Sequence, residues 1–215
     1  MVERLSAGRI GYIHVPDTAV AGNRELFRGI YAYRHKEALI IDARYNGGGF
    51  IPVMMADLVS RSPLHYWARR GLEMRSEPAI VHEGPKAMLI NHYSSSGGDA
   101  FPYYFRQKNL GPLIGTRTWG GLIGISGNPR FVDGGFFNVP TFGFVNLDGE
   151  WDVEGLGVAP GIEVYDLPEM VAAGRDPSIE EAVRVLLQEL AEKPGKKIKQ
   201  PADPDRSGWI EKQKR

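Results

Sequence analysis

No cysteine occurs among the 215 residues. Thiol nucleophiles, thiolate metal sites and disulfides are therefore excluded. Compartment is not decided by this, because a cysteine-free chain suits oxidising and reducing surroundings alike; a cytoplasmic location is the expectation, with periplasmic or secreted ones left open. An excess of either charge is also lacking, since 26 Lys plus Arg balance 26 Asp plus Glu. Neither nucleic acid nor an anionic membrane surface is thus indicated as the main partner. No apolar run approaches the roughly 18 residues that a membrane span needs. The opening M-V-E-R-L-S-A-G-R-I-G-Y-I-H-V lacks the apolar stretch of a signal peptide and leads into a strand-like segment. A Met placed directly before such a segment is what a chain cut from something longer would show. The five histidines, His14, His35, His65, His82 and His92, lack ligand spacing such as H-x-x-x-H.

What is present is the composition of an ordinary globular protein, 42% hydrophobic and 10% aromatic, on a chain long enough for one sizeable core. Short β-rich runs alternate with helical ones. Residues 9–15 (R-I-G-Y-I-H-V) read as a strand and 23–33 as an amphipathic helix. Residues 38–44 (A-L-I-I-D-A-R) and 86–91 (K-A-M-L-I-N) are continuous apolar runs with polar ends, as buried parallel strands require. Helices are predicted over 52–60, with Pro in the first turn, and over 98–109. A further strand begins at 113–115, and 131–145 has the look of β-hairpins. The last helix, 178–192, opens with D-P-S-I-E-E and repeats its apolar residues at Ile179, Ala182, Val183, Leu186, Leu187 and Leu190. This alternation predicts an α/β domain with a mostly parallel sheet. The core is expected to span 1–192, followed by a Lys/Pro-rich tail over 193–215 whose large apolar residues include Trp209 and Ile210.

Two strand-to-helix junctions are unusually rich in small residues: R-Y-N-G-G-G, holding Gly47, Gly48 and Gly49, and N-H-Y-S-S-S-G-G-D-A-F, holding Ser94, Ser95, Ser96 and Gly97. Ligands and catalysis gather where strands end in such sheets. Glycines let main-chain N–H groups approach a ligand, and a helix N-terminus adds unpaired donors. One N–H from each turn would make an oxyanion hole around a serine hydroxyl. The same residues equally suit a plain N-cap and turn. Ser94 stands where G-x-S-x-G would need its first glycine, so this is not that elbow. The glycine run lacks both G-x-G-x-x-G spacing and a Walker lysine, which argues against a nucleotide site.

Beyond spacing, R-I-G-Y-I-H-V-P-D, I-I-D-A-R-Y-N-G-G-G, N-H-Y-S-S-S-G-G-D-A-F, L-I-G-T-R-T-W-G-G, D-V-E-G-L-G-V-A-P-G and D-P-S-I-E-E-A together resemble the catalytic region of tricorn proteases, the tricorn branch of the C-terminal processing peptidases. That resemblance implies a Clp protease/crotonase-like fold and a serine peptidase that hydrolyses peptides through an acyl-enzyme. It implies Ser96 as nucleophile, Ser94 and Ser95 as turn formers, and Gly97 with Gly48 or Gly49 as oxyanion donors. Glu154, otherwise readable as a solvated loop acid, matches the glutamate of a Ser–His–Ser–Glu tetrad. The resemblance implies no metal or organic cofactor, peptides as substrates and self-association as a homo-oligomer.

A serine hydroxyl needs a base within hydrogen-bond reach. Gly121 stands where the processing peptidases carry a lysine, and no Ser-His pair of the tricorn kind exists in this chain. His92 precedes Ser96 by four residues, about 13 Å along an extended run. The base is therefore expected from an upstream region outside these residues, leaving the chain inactive alone. The stretch H-Y-W-A-R-R-G puts Tyr66 and Trp67 where relatives place an acid that a neighbouring subunit lends for substrate recognition. A basic cleavage preference is then in doubt, and an apolar or aromatic one stands beside it. Two other readings stay open: a non-catalytic binding or assembly module of the same fold, and a crotonase-like acyl-CoA enzyme using a paired-amide hole.

Overall fold

The computed structural model describes residues 1–125, 128–193 and 198–203. Five strands, β1 (Ile10–His14), β2 (Ala38–Asp42), β5 (Lys86–Ile90), β6 (Leu113–Gly115) and β7 (Ile162–Glu163), form one sheet in that spatial order. Every pairing in it is parallel. A hairpin of β3 (His65–Trp67) and β4 (Arg75–Glu77) stands apart. The helices are α1 (Val2–Leu5), α2 (Val20–Ala32), α3 (Pro52–Val59), α4 (Gly97–Gln107), α5 (Pro168–Ala172) and α6 (Pro177–Glu192).

Every residue of β2 and β5 is buried, because helices cover both faces of the sheet. Alternation along the strands sorts their side chains. Leu39, Ile41, Met88 and Ile90 share a core with Leu26 of α2, Met55 of α3 and Phe101 and Phe105 of α4. Ala38, Ile40, Ala87 and Leu89 face Val2 of α1 and Ile179, Val183 and Leu186 of α6. The predicted α/β class and parallel sheet are thus what the chain adopts.

Arg44, just past β2, is held by three carboxylates: Asp42 at 2.6 Å, Asp166 at 2.9 Å and Asp176 at 3.0 Å. Asp176 is also the N-cap of α6, accepting the Ile179 N–H at 2.9 Å. Burial alone would lower the Arg44 pKa, but the hydrogen bonds that the guanidinium donates to Asp42 and Asp176 carry it above its ordinary value. One guanidinium therefore ties the end of β2 to the start of α6.

At the opposite end of the strands, His82 is 3% exposed. Its Nε2 lies 2.9 Å from the Lys36 carbonyl, so the ring donates there. Burial, then the nearby Lys86 charge, lowers its pKa to about 4. Between that value and the ordinary 6.5 the unfolded chain binds the extra proton, so stability falls as pH drops through this window. The loss approaches ~3 kcal/mol below pH ~4. Urea midpoints measured from pH 7 to 4 are expected to drop more steeply for the wild type than for His82→Gln.

Residues 131–145 depart from expectation. Instead of hairpins, the segment contributes only to isolated bridges, Gly124 with Phe142 and Val145 with Trp151. Its Phe131, Val132, Phe136 and Phe137 are exposed. Phe144 packs on the core, but with most of the other large apolar residues exposed, local pairing has too little burial to build a ladder. Trp209 and Ile210 lie outside the described residues.

Candidate active site

β2 and β5 end side by side, so the turns that follow them meet. Asn46 is the joint between them. Its side-chain Nδ2 donates to the Val15 carbonyl at 2.8 Å, and its Oδ1 accepts the Gly48 N–H at 3.0 Å. Its own carbonyl accepts the Ser95 N–H at 3.0 Å. Ser94 Oγ, fully buried, donates to the Ala43 carbonyl at 2.7 Å and so locks the serine turn to the end of β2.

Ser96 is the N-cap of α4, with φ 56° and ψ −119°. A side chain held at positive φ is uncommon, and such strain persists only where neighbours enforce it. Here the Ser96 N–H donates to the Gly121 carbonyl at 2.9 Å, while its carbonyl accepts the N–H groups of Asp99 at 2.8 Å and Ala100 at 3.1 Å. Its hydroxyl is half-buried and has no hydrogen-bond partner among the described residues.

The two glycine amides at issue differ. Gly48 spends its N–H on Asn46. Gly49 and Gly97 have no acceptor for theirs among the described residues. They are close together: a Cβ placed on Gly97 would lie 2.8 Å from the Gly49 nitrogen and 2.4 Å from its carbonyl oxygen. A Cβ on Gly48, whose φ is +84°, would lie 2.8 Å from Ser96 Cβ. Two uncommitted donors thus flank the Ser96 turn, at the start of an 11-residue helix whose dipole favours negative charge.

Glu154 reaches the same region through the loop that carries Gly121. Its Oε2 accepts the N–H of Leu122 at 2.6 Å and of Ile123 at 2.7 Å, one residue beyond the carbonyl that holds Ser96. Asp99, in the first turn of α4, is fully buried and accepts the Gly120 N–H at 2.8 Å. Burial raises its pKa, against hydrogen bonds that act in the opposite sense. Sequence reading passed over Asn46 and Asp99. Their only signals were an amide just before the glycine run and an acid in the first turn of a helix.

Tyr66 and Trp67 are not brought to this site within one chain. They lie on β3 and border a cleft of about 950 Å³ with Lys36 and Gly84, residues that precede β2 and β5. Ser96 follows the other end of β5, a strand length of roughly 16 Å away. His92 occupies a turn rather than an extended run, with its ring 3.9 Å from that of Tyr93, and makes no hydrogen bond to Ser96.

A parallel α/β sheet whose strand ends present a strained serine beside two free amides has the architecture of a serine-type hydrolase. The chain belongs to peptidase family S41, whose sequence profile matches residues 9–164, and it is a serine-type peptidase domain. It is 36% identical over 189 residues to the tricorn protease of Thermoplasma volcanium, covering 88% of this chain and 18% of that protein. To tricorn protease homolog 1 of Streptomyces coelicolor it is 36% identical over 195 residues, 91% of this chain and 18% of the relative. The chain thus spans less than a quarter of these relatives' length. The crystal structure of the tricorn protease superposes with a TM-score of 0.84 at 36% identity, over 88% of this chain and 19% of that one. The photosystem II D1 C-terminal processing protease shares the fold, with a TM-score of 0.58 at 22% identity.

Proposed function

We propose that this domain supplies the nucleophile and the oxyanion-binding amides of a peptidase whose general base comes from outside these residues. Ser96 Oγ attacks the peptide carbonyl. The Gly97 and Gly49 N–H groups receive the negative oxygen, Gly48 serving as the hinge that brings Gly49 to the serine. Glu154 holds the Gly121–Leu122 loop and orients the incoming histidine. Collapse of the tetrahedral adduct releases the amine, protonated by the base, and water then hydrolyses the acyl-enzyme. Peptides are the substrates, and association into a homo-oligomer would let the β3–β4 hairpin of one copy, with Tyr66 and Trp67, reach its neighbour. The exposed Val20, Phe50 and Trp119 beside the two turns support an apolar contact with substrate. Among the described residues no helix is long and apolar enough to cross a membrane; the cytoplasm is the compartment this reading assigns.

The observation that carries this reading is the unpartnered Ser96 hydroxyl beside two unpartnered amides. A fluorophosphonate probe offered to the full-length protein is expected to label Ser96, with labelling lost in Ser96→Ala. Labelling elsewhere, or none, would favour a binding module of the same fold.

A further inference from the structure

Among the described residues, Thr18 Oγ1 is one of three buried side-chain polar atoms without a hydrogen-bond partner, and the residue is 0% exposed. An unpaired buried hydroxyl costs about 1–3 kcal/mol, so its position calls for a reason. A Cβ on Gly97 would lie 2.0 Å from this oxygen, which places the hydroxyl directly against Gly97, on the side where Gly49 also packs. The backbone of Thr18 is committed to the same turn. Its N–H donates to the Gly48 carbonyl at 2.9 Å, and its carbonyl accepts the Ile51 N–H at 3.1 Å. The Gly48 carbonyl and the Gly49 N–H belong to one peptide unit, so a donor on the first polarises the second.

We propose that Thr18 is a positioning residue for the oxyanion-binding amides: its N–H polarises the Gly48–Gly49 peptide, and its hydroxyl, kept free of partners, sets the gap between Gly49 and Gly97 and turns its dipole towards a carbonyl oxygen that becomes negative there. This rests on the reading of Ser96 as nucleophile. A valine methyl fills the space of the hydroxyl without its dipole, and it removes the cost of an unpaired polar group. Thr18→Val is therefore expected to melt at the wild-type temperature or above it.

Three measurements on wild type, Thr18→Val and Thr18→Ser test the proposal. The amide resonances of Gly49 and Gly97 are expected to shift in the valine variant and return in the serine variant. With the polypeptide that brings the base present, phosphonylation of Ser96, in which the Oγ–P bond forms and fluoride leaves as the hydroxyl proton passes to that base, is expected to slow about tenfold in Thr18→Val, less than the 10²–10³ for losing a direct donor. Thr18→Ser is expected to stay near wild type, and the affinity for an unreactive peptide to be equal in all three. Unchanged Gly49 and Gly97 resonances in Thr18→Val, or a loss of reactivity as large in Thr18→Ser, overturns the role. Absence of Ser96 labelling in every variant overturns instead the nucleophile assignment, and the amide resonances still decide Thr18.

Discussion

The 215-residue chain, assayed with a fluorogenic peptide, is expected to release product no faster than its Ser96→Ala variant. A serine hydroxyl at neutral pH is a weak nucleophile, and its activation depends on a base at hydrogen-bond distance. Among the described residues nothing accepts a hydrogen bond from Ser96 Oγ. His92 is engaged with the Tyr93 ring, and His82 lies beyond the far end of β5 with its pKa lowered to about 4. Where a catalytic histidine is removed from a complete serine peptidase, the turnover number falls by on the order of 10⁶. Adding the polypeptide that brings the base should restore activity by a factor of that order, and Ser96→Ala should cancel the gain. Robust cleavage by the chain alone, abolished by Ser96→Ala, would show that a base among these residues had been overlooked.

The parts of the fold that sequence made legible are those where one local signal fixes the outcome. The runs A-L-I-I-D and K-A-M-L-I are apolar on both faces, which only a strand covered by helices on both sides tolerates, and β2 and β5 are such strands. The Asp176 cap and the apolar spacing after it likewise give α6 with one buried face. In residues 131–145 most β-forming residues stay exposed and Phe144 packs on the core, so propensity alone misled. The β3–β4 hairpin went unread because its three-residue strands are largely exposed and too short for an alternation to stand out. At the site, the serine and glycine turns stood out by composition, and resemblance distinguished Ser96 from its neighbours. The residues around them did not stand out: Thr18, Asn46 and Asp99 are tied to the turns by contacts with chain roughly 20 to 80 residues distant, which no window of sequence displays.

Replacing Gly97 by alanine should drive the two turns apart. At the first position of a helix alanine is ordinarily the better residue, by up to about 1 kcal/mol in a helix interior. Here the new Cβ would sit 2.0 Å from Thr18 Oγ1, 2.4 Å from the Gly49 carbonyl oxygen and 2.8 Å from the Gly49 nitrogen. The last two are backbone atoms, fixed by the turn around them, so relief comes only by driving the glycine run away from α4. The convergence proposed for the Gly49 and Gly97 amides would then be lost. Loss of one oxyanion donor corresponds to on the order of 10²–10³ in rate, and Gly97→Ala is expected to slow the phosphonylation of Ser96 in the full-length protein by that factor. Gly47→Ala is the matched control, because a Cβ there meets nothing within 4 Å and its φ is not positive. It should label at the wild-type rate. Equal rates in the two variants would mean that the distance between the two turns has no part in stabilising charge, and the amides would have to be removed from the mechanism.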